Sequence, residues 1–487
     1  MTRFAFAWWG SLGVVMGLGI GNAGLGRTAS AAEAAAPGAA AEAVAPGAAA
    51  EAGAPAAAPM NVIVIVGDDH RWDSLRVAGN DVIHTPNLDA LAAGGVRFTQ
   101  ARVTTSICMT SRASILTGQL MSRHGIDRFG KALSPEQFAD TYHGQLRAAG
   151  YWTGFVGKYG VGGARPEDFD FLRSYEGRHW MERGGQRLHV TEFNRRDALE
   201  FLEQRPTDRP FLLSLSFFAP HAEDAAPEQY LPQDWSAEPY RDAVVPQSNL
   251  ANEAALQSLP PFLADDANEG RVRYRWRFDT PERYQEYMIR YFRLITEVDA
   301  AIGDLMAMLR QQGIAERTLV VFIGDNGYFH ADRGLADKWY PYEQALRVPL
   351  VIHDPRLPTP RRGLTRDELA LNIDVAPTVL AACGVPIPPA MQGADLAPLY
   401  LAAEPPAWRE EFFYEHPTIT RRERIPGSIG LIRRDLKYVR WPEWEHEQLF
   451  DLRQDPDELT NLVDDPARAK LLAEMRQRLE TLRQSSR

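Results

Sequence analysis

The 487-residue chain has little cysteine, little net basic charge and few long uncharged segments. Its two cysteines, Cys108 and Cys383, allow at most one disulfide bond. They lie far apart, and Cys383 belongs to an apolar helix-like run, 375–385, that favours a buried free thiol. The net charge of -11 excludes a general nucleic-acid binder, which needs a dense field of lysine and arginine. We therefore expect no nucleic-acid partner.

The first 59 residues resemble targeting and spacer sequence rather than folded protein. The segment 4–26 carries no charge, follows Arg3 and precedes the small-residue pattern Ala29-Ser30-Ala31. We predict a signal peptide over residues 1–31, export to the periplasm or the extracellular space, and no stable membrane span. The alternative is an uncleaved anchor, because the segment is long enough to cross a bilayer. Residues 32–59 are almost wholly alanine, glycine, proline and glutamate and predict a disordered linker.

From Asn61 onward, apolar runs alternate with segments of helical period. The runs are Val62–Val66, Trp152–Val156, Phe211–Phe218, Thr318–Ile323 and Val348–Ile352. They are continuous rather than alternating, as expected of strands buried on both faces. Helix starts are predicted at Thr85-Pro86, Ser134-Pro135 and Thr280-Pro281, and the longest helix is expected from Pro281 to about Gln312. We predict an α/β domain over residues 60–402, with a mostly parallel sheet between helices.

The sequence changes character after about residue 402. Gly430–Arg440 and Gln448–Leu452 predict short antiparallel strands, and Pro466–Gln484 predicts a closing amphipathic helix. We expect a small C-terminal α+β subdomain over residues 403–487. The irregular span 222–279 predicts an insertion that shapes a cleft.

Polar residues follow the predicted strands where each one ends. They are Asp68 with Asp69, Lys158, His221, and Asp325 with Asn326. The carboxyl ends of strands are where open parallel sheets bind ligands, and the oxygens of two acidic loops suit calcium or magnesium. For an isolated pair, helix capping is the alternative interpretation.

Cys108 begins a segment, 108–118, that reads as a helical turn with Arg112 one turn later. A cysteine at a helix N-terminus is a position where the thiol is activated, and Arg112 can face an anion. A buried structural cysteine and a solvated arginine are the alternatives.

The run Cys108-Met109-Thr110-Ser111-Arg112, followed by Leu116-Thr117-Gly118, resembles the signature of the formylglycine-dependent sulfatases, the type I sulfatases of the alkaline-phosphatase superfamily. Further stretches are similar to that family and occur in its order: 61–69, 84–89, 157–158, 219–221, 324–328, 337–339, 347–350, 391–393, 449–452 and 461–462. The resemblance implies an alkaline-phosphatase-like mixed sheet, mostly parallel, and an enzyme that hydrolyses sulfuric esters.

The resemblance also implies the site. Cys108, oxidised to formylglycine by a maturation enzyme, is expected to be the nucleophile. A divalent cation, calcium or alternatively magnesium, is expected to bind Asp68, Asp69, Asp325, Asn326 and the modified Cys108. The implied catalytic residues are Cys108, Arg112, Lys158, His221 and Lys338. Arg112 and Lys158 hold the nucleophile in this scheme, Lys158, His221 and Lys338 bind substrate, and His221 is the candidate that protonates the leaving oxygen. A sulfated carbohydrate or another small sulfate ester is the implied substrate.

The sequence departs from the family pattern at three places. Thr110 stands where the family commonly has proline, Gly160 where it has histidine after the lysine, and Arg333 where a second histidine is expected. His330 and His124 are the candidates for the missing base.

Arginines and aromatic residues alternate over 271–277. The pattern predicts an edge strand with one basic face, and the alternative is a surface that contacts a sulfated sugar.

Other functions remain compatible with the sequence. They are a phosphonate or phosphate-ester hydrolase of the same superfamily, a secreted glycan-binding homologue with impaired catalysis, and a thiol enzyme that uses Cys108 directly.

Overall fold

The computed structural model describes residues 59–487. The predicted signal peptide, and the predicted linker up to residue 58, lie outside the described residues. None of the described helices combines the length and the apolar content that a bilayer span requires. The boundary predicted between residues 402 and 403 remains a prediction.

The strands begin where the apolar runs of the sequence begin. In chain order they are β1 Asn61–Gly67, β2 Val96–Phe98, β3 Ala101–Arg102, β4 Trp152–Gly157, β5 Phe171–Ser174, β6 Trp180–Arg183, β7 Gln186–His189, β8 Phe211–Ser216, β9 Thr318–Gly324, β10 Phe329–His330, β11 Ala336–Asp337, β12 Leu350–His353, β13 Leu364–Arg366, β14 Ala370–Leu371, β15 Glu411–His416, β16 Ser428–Arg433, β17 Leu436–Trp441 and β18 His446–Asp451.

The helices begin at several of the predicted caps. In chain order they are α1 Pro86–Gly94, α2 Cys108–Thr117, α3 Met121–His124, α4 Pro135–Ala139, α5 Tyr142–Ala148, α6 Val190–Gln204, α7 Glu253–Gln257, α8 Pro261–Ala264, α9 Glu269–Arg277, α10 Pro281–Gln311, α11 Glu343–Leu346, α12 Val375–Ala382, α13 Ala397–Leu401 and α14 Ala469–Ser485. The Ser134 side chain caps α4, and the Thr280 side chain caps α10.

The main sheet has the order β13-β2-β12-β9-β1-β8-β4-β5. Its centre is parallel from β9 through β1, β8 and β4 to β5. β12 runs antiparallel to both β9 and β2, so the sheet is mixed. The predicted fold class, a mostly parallel mixed sheet, is confirmed.

Both faces of this sheet are buried. Along β1, Ile63 and Ile65 pack into one apolar cluster with residues of α6 and α10, and Val62 and Val64 pack into another with residues of α2, α5 and α12. A strand covered on both faces reads as a continuous apolar run, which is the pattern seen in the sequence.

The C-terminal region forms a separate antiparallel sheet, β15-β16-β17-β18. Leu472, Met475 and Leu479 of α14 are buried in one cluster with residues of this sheet. The predicted α+β style of the region is confirmed. The predicted run 430–440 is interrupted by a turn and belongs to two strands, β16 and β17.

One secondary-structure prediction is wrong. The arginine-rich run 271–277 lies in the helix α9 and not in an edge strand. The Asn268 side chain caps this helix by accepting a hydrogen bond from Gly270 N. On a helix, Arg273 and Arg277 share one face because they are four residues apart. The insertion 222–279 therefore contains several short helices.

Candidate functional site

The polar residues after the central strands meet at one edge of the main sheet. β9, β1, β8 and β4 are adjacent and parallel, with Gly67 opposite Gly324 and Gly157 opposite Ser216. The chain segments that leave these ends carry Asp68, Asp69, Lys158, His221, Asp325 and Asn326. Parallel strands bring their carboxyl ends to one side, so residues remote in sequence become neighbours.

Hydrogen bonds join the two acidic loops directly. Asn326 Nδ2 donates to Asp69 Oδ1 at 2.7 Å, and Asp69 N donates to Asp325 Oδ1 at 3.1 Å. Asp69 has a φ of 58°, a left-handed conformation that aspartate tolerates better than most residues. All these side chains are fully buried or nearly so. The two loops therefore form one rigid, oxygen-rich surface. We term it the floor of the site, and it consists of Asp68, Asp69, Asp325 and Asn326.

Three buried cations surround this floor. Lys158 Nζ is paired with Asp68 Oδ2, and Lys338 Nζ is paired with Asp69 Oδ1. Arg112 Nε donates to Asp325 Oδ2 at 2.8 Å. Because each cation approaches a different carboxylate, the negative charge of the floor is compensated from three sides.

Helix α2 aims Arg112 into the site. Its Nη1 donates to the Lys158 carbonyl oxygen at 2.8 Å and to the Ser216 hydroxyl, and its Nη2 lies 3.7 Å from Asp68 Oδ2. Burial alone would lower the pKa of Arg112, but Asp325, Asp68, Cys108 and Glu176 together raise it. The guanidinium is therefore a fixed positive charge that joins β1, β4, β8 and β9 at this edge.

Several acceptor oxygens of the floor are left without a partner. Asp68 Oδ1, Asp69 Oδ2 and Asn326 Oδ1 are buried and accept no hydrogen bond. Buried acceptors without donors are rare in folded proteins because their desolvation is not compensated. Oxygens of this kind are the ligands that a hard divalent cation prefers. The residues present therefore fit a divalent cation.

His221 lies beside these oxygens. Its Nε2 is 3.6 Å from Asp69 Oδ2, and one donor atom each from Asp68, Asp69 and His221 lie within 4.8 Å of one another. Its Nδ1 is 2.6 Å from the Ala222 carbonyl oxygen, so Nδ1 carries a proton and donates it there. Sequence reasoning assigned His221 to substrate binding and to protonation of the leaving oxygen, and its position also suits a metal ligand.

The carboxylates differ in their affinity for protons. Burial would raise the pKa of Asp68, but Lys158, His221 and Arg112 lower it well below its usual range. Burial and then the charge of Asp68 raise the pKa of Asp325 to about 7 against the effect of Arg112. The ionised and protonated forms are therefore divided unevenly between these two carboxylates, and a bound divalent cation would favour the ionised form of both.

Cys108 begins α2 as predicted and is 5% exposed. Burial raises the pKa of the Cys108 thiol, and Asp68 raises it further against the effects of Lys158 and Lys338, which is opposite to the shift expected at a helix N-terminus. A thiol enzyme would need the opposite shift. Both cysteines are free, and Cys383, at the end of α12, is only partly buried.

The departures from the family pattern have local explanations. Gly160 has a φ of +70°, and a Cβ placed there would lie 2.8 Å from Arg112 Cδ. A side chain at this place would therefore require Arg112 to shift from the position described here. The Thr110 hydroxyl donates to the Ile126 carbonyl oxygen at 2.9 Å, which fixes the first turn of α2.

The two histidines considered as replacement bases are engaged elsewhere. His124 Nε2 contacts the Ser114 hydroxyl at 3.1 Å, and its Nδ1 accepts from Ile126 N at 3.0 Å. His330 is buried among aromatic rings, with the Tyr291 ring centroid 4.5 Å away. Burial lowers the pKa of both. Neither is retained as the base.

Arg333, at the third departure, has a structural role. Its Nη1 donates to the Ser258 hydroxyl at 2.7 Å, and its Nη2 donates to the carbonyl oxygens of Asp457 and Glu458. The guanidinium lies over the ring of Tyr342 at 4.6 Å. It therefore ties the loop after β10 to the C-terminal region.

A second network holds the loop of Lys338. Arg277 is fully buried, pairs with Asp337 and donates to the Tyr328 hydroxyl at 2.7 Å. Arg273 and Arg277 both pair with Asp224. These arginines are thus occupied by protein carboxylates, and Arg277 positions the residue next to Lys338.

Sequence reasoning missed Ser216 and Asp337. Ser216 is the last residue of the buried strand β8, and its hydroxyl accepts from Arg112. Ser216 lies inside the apolar run Phe211–Phe218, and a polar residue inside such a run is a detectable signal. Asp337 precedes Lys338, but its partner Arg277 is 60 residues away and could not be inferred.

The comparisons with known proteins agree with this geometry. Residues 60–385 match the sulfatase family model, and residues 331–485 match the model of the N-sulphoglucosamine sulphohydrolase C-terminal region. The chain belongs to the sulfatase family. It is a type I sulfatase of the alkaline-phosphatase superfamily, and sulfate-ester hydrolysis is its reaction class. The predicted enzyme class is confirmed.

Among its relatives is an N-acetylglucosamine-6-O-sulfatase of Bacteroides thetaiotaomicron, 25% identical over 86% of this chain and 85% of the relative. Solved structures share the sulfatase fold. One, in complex with its substrate D-glucosamine-2-N,6-O-disulfate, has a TM-score of 0.74 at 24% identity over 88% of this chain and 98% of the other. A phosphonate monoester hydrolase of Agrobacterium radiobacter has a TM-score of 0.71 at 20% identity over 88% and 96%.

Proposed function

We propose that this sulfatase releases sulfate from a sulfated carbohydrate with a formylglycine made from Cys108 and a bound calcium ion. The observation that carries the proposal is the set of unpartnered acceptor oxygens on Asp68, Asp69 and Asn326, beside the N-terminus of α2. The relatives named for sulfated glucosamines support the choice of a sugar.

Asp68, Asp69, Asp325, Asn326 and the modified Cys108 would hold the cation. When bound, the cation neutralises charge and makes a coordinated oxygen more acidic. Calcium accepts an irregular set of six to eight oxygens, whereas magnesium demands a near-octahedral set, so the crowded carboxylate floor favours calcium. Magnesium is the alternative.

The remaining residues bind and orient the sulfate ester. Lys338 and His221 would contact the sulfate group, and Arg112 and Lys158 would compensate charge around the nucleophile. Because His221 Nδ1 donates to the Ala222 carbonyl oxygen, a proton taken up by this ring sits on Nε2, the atom nearest the floor. Nε2 is then the atom that can protonate the leaving oxygen.

The chemistry requires processing outside this chain. We propose that a maturation enzyme oxidises Cys108 to an aldehyde, that residues 1–31 direct export, and that residues 32–59 act as a linker. We also propose residues 60–402 as the catalytic domain and residues 403–487 as a C-terminal subdomain. A periplasmic or extracellular location follows from this scheme.

The test of the nucleophile is mass spectrometry of the tryptic peptide Val103–Arg112 from protein made in its own host. We expect a peptide in which oxygen replaces the cysteine sulfur and two hydrogens are lost, and which reacts with a hydrazide probe. An intact thiol in protein that hydrolyses sulfate esters would overturn the mechanism. An intact thiol in protein that binds sulfated sugars without turnover would favour the impaired glycan-binding alternative.

A phosphonate or phosphate-ester hydrolase is the second candidate, favoured by the shared fold of the phosphonate monoester hydrolase. Paired assays with an aryl sulfate and an aryl phosphodiester separate the two. We expect the higher kcat/KM for the sulfate, and a higher value for the phosphodiester would reverse the assignment.

A further inference from the structure

An open cleft of about 690 Å³ lies at the segment 176–178 and the hairpin of β6 and β7. Glu176, Arg178, Trp180, Glu182 and Arg187 are among the residues that line it. None of these side chains takes part in the cluster of carboxylates and cations described above.

The sheet fixes the position of this cleft. β5 runs parallel to β4, with Ser174 opposite Gly157, and Tyr175 N donates to the Gly157 carbonyl oxygen at 3.1 Å. The chain after Ser174 therefore leaves the sheet at the same edge as Lys158. Glu176 lies close enough to Arg112 to act on it electrostatically. The segment that lines the cleft therefore begins at the edge of the sheet that carries the site.

A second contact joins the hairpin to the site. The ring of His179 lies 5.2 Å from the ring of Phe218, which lies 5.2 Å from the ring of His221. Lys158 Nζ lies 5.6 Å from the same Phe218 ring. Arg178 and Trp180 flank His179 in sequence. The packing of His179 on Phe218 therefore fixes the backbone next to both residues.

The two arginines of the cleft lack a charged or hydrogen-bonding partner among the described residues. Within residues 59–487, neither Arg178 nor Arg187 makes an ion pair or a hydrogen bond, and both are exposed. Arg183, on the same hairpin, pairs instead with Asp197 at 2.6 Å. The unpaired guanidinium groups keep their capacity to bind a carboxylate or sulfate.

The rest of the cleft suits a sugar ring. The Trp180 Nε1 donates to the Leu231 carbonyl oxygen at 3.1 Å, which fixes the indole, and Arg187 lies over that ring at 5.2 Å. Glu176 and Glu182 make no ion pair within residues 59–487 and can accept hydrogen bonds from sugar hydroxyls. An aromatic ring beside polar groups is a common surface for a pyranose.

We propose that this cleft binds a second anionic group of the substrate, a sulfate or a carboxylate on the same sugar or on its neighbour, through Arg178 and Arg187. The proposal rests on the proposed function, because the reacting sulfate is taken to lie at Lys338 and His221. It makes the enzyme selective for sugars with at least two anionic groups.

The experiment measures binding rather than turnover. The full chain with Cys108→Ala, loaded with calcium, is titrated calorimetrically with N-acetylglucosamine 6-sulfate, with glucosamine 2-N,6-O-disulfate, and with a monosulfated disaccharide that contains a uronic acid. Arg178→Ala, Arg187→Ala, Arg178→Lys and the exposed control Arg310→Ala are made in the same background. Because no chemistry is required, the result does not depend on whether the proposed mechanism operates.

In the Cys108→Ala background without further changes, we expect the Kd of one dianionic sugar to be at least tenfold lower than that of the monosulfate. The sugar that binds more tightly shows whether the cleft binds a sulfate or a carboxylate. Each arginine-to-alanine change should raise the Kd of that sugar about tenfold, with a smaller effect on the monosulfate. Arg178→Lys should restore part of the affinity, and Arg310→Ala should change nothing.

Three results would overturn the proposal. They are equal affinity for all three sugars, no measurable binding of any of them, and a dianionic preference that survives both alanine substitutions. If the dianionic sugar binds more tightly as expected but the wild-type enzyme is inactive, the role of the cleft is retained and only the catalytic mechanism is rejected.

Discussion

Two buried clusters of charge in this protein differ in how their acceptor oxygens are used. At the sheet edge, Asp68 Oδ1 and Asp69 Oδ2 have no hydrogen-bond partner. The other cluster, which we term the structural cluster, consists of Arg102, Glu343, Lys437 and Glu458. Each carboxylate oxygen of Glu343 and Glu458 lies within 2.9 Å of a nitrogen, although Glu458 Oε1 meets Lys437 Nζ as an ion pair without the geometry of a hydrogen bond.

The difference distinguishes a binding site from a structural ion pair. Two cations balance two carboxylates in the structural cluster, and Glu343 therefore has a lowered pKa, since Arg102 and Lys437 outweigh burial. At the sheet edge three cations also face three carboxylates, yet acceptor oxygens of Asp68, Asp69 and Asn326 have no hydrogen-bond donor. Burial of charge alone does not indicate function, whereas several unpartnered acceptor oxygens on neighbouring residues fit a bound cation.

The largest effect is expected when a carboxylate at the sheet edge is neutralised. Asp69→Asn should lower kcat/KM for an aryl sulfate about 10²–10³-fold, because it removes a proposed metal ligand and the partner of Lys338. Steady-state kinetics measure it. The matched control is Glu343→Gln, which should keep kcat/KM per folded molecule. An equal loss of activity in both variants would contradict the distinction.

A substitution in the structural cluster should instead lower the stability of the fold. Lys437→Met should lower the free energy of unfolding by about 3–5 kcal/mol, because it leaves Glu343 and Glu458 buried with one cation fewer. Urea denaturation followed by circular dichroism measures this change. A loss below about 1 kcal/mol would show that the structural cluster is not needed for folding.

A buried carboxylate without a close cation tests the same principle through pH. Burial raises the pKa of Glu297 to about 7, against hydrogen bonds from Ser236 and Gln233. The folded pKa exceeds the unfolded value, so the stabilising protonated form dominates at low pH and is lost as pH rises through 7. Glu297→Gln should remove up to about 3 kcal/mol of this pH dependence. Urea unfolding at pH 5 and pH 8 gives the comparison, and parallel pH profiles of variant and wild type would contradict it.

The smallest expected effect is the stabilisation of the fold by bound calcium. Calcium at about 100 times its Kd should stabilise the fold by about 2.7 kcal/mol, and a chelator should reverse the gain. Differential scanning calorimetry measures the shift in Tm. Asp69→Asn should abolish the shift, while Glu343→Gln should retain it. A Tm that is insensitive to chelator and calcium would exclude the proposed metal centre.

Much of the fold follows from local signals. The five apolar runs become strands of the main sheet, and α10 begins at the predicted Thr280 cap and ends within one residue of the prediction. The run 271–277 was misassigned because alternating arginine and aromatic residues also place Arg273 and Arg277 on one helix face. The Asn268 cap was the overlooked signal.

The candidate site was less accessible to sequence reasoning. Strand ends predicted which oxygens could gather, but not that Arg112 fills the space beside Gly160 or that burial raises the pKa of Cys108. Those outcomes depend on packing between helix α2 and strands that are far away in the chain.

The amino-acid sequence by itself determined the strand pattern, the polar residues at the strand ends and the family to which the chain belongs, because these depend on residue order and local preference. Only the tertiary structure decided which charges are satisfied. Arg273 meets Asp224, whereas Arg178 meets no carboxylate in the described chain. Ion pairs form between residues that the fold brings together, so spacing along the chain cannot reveal which arginines remain free to bind a substrate.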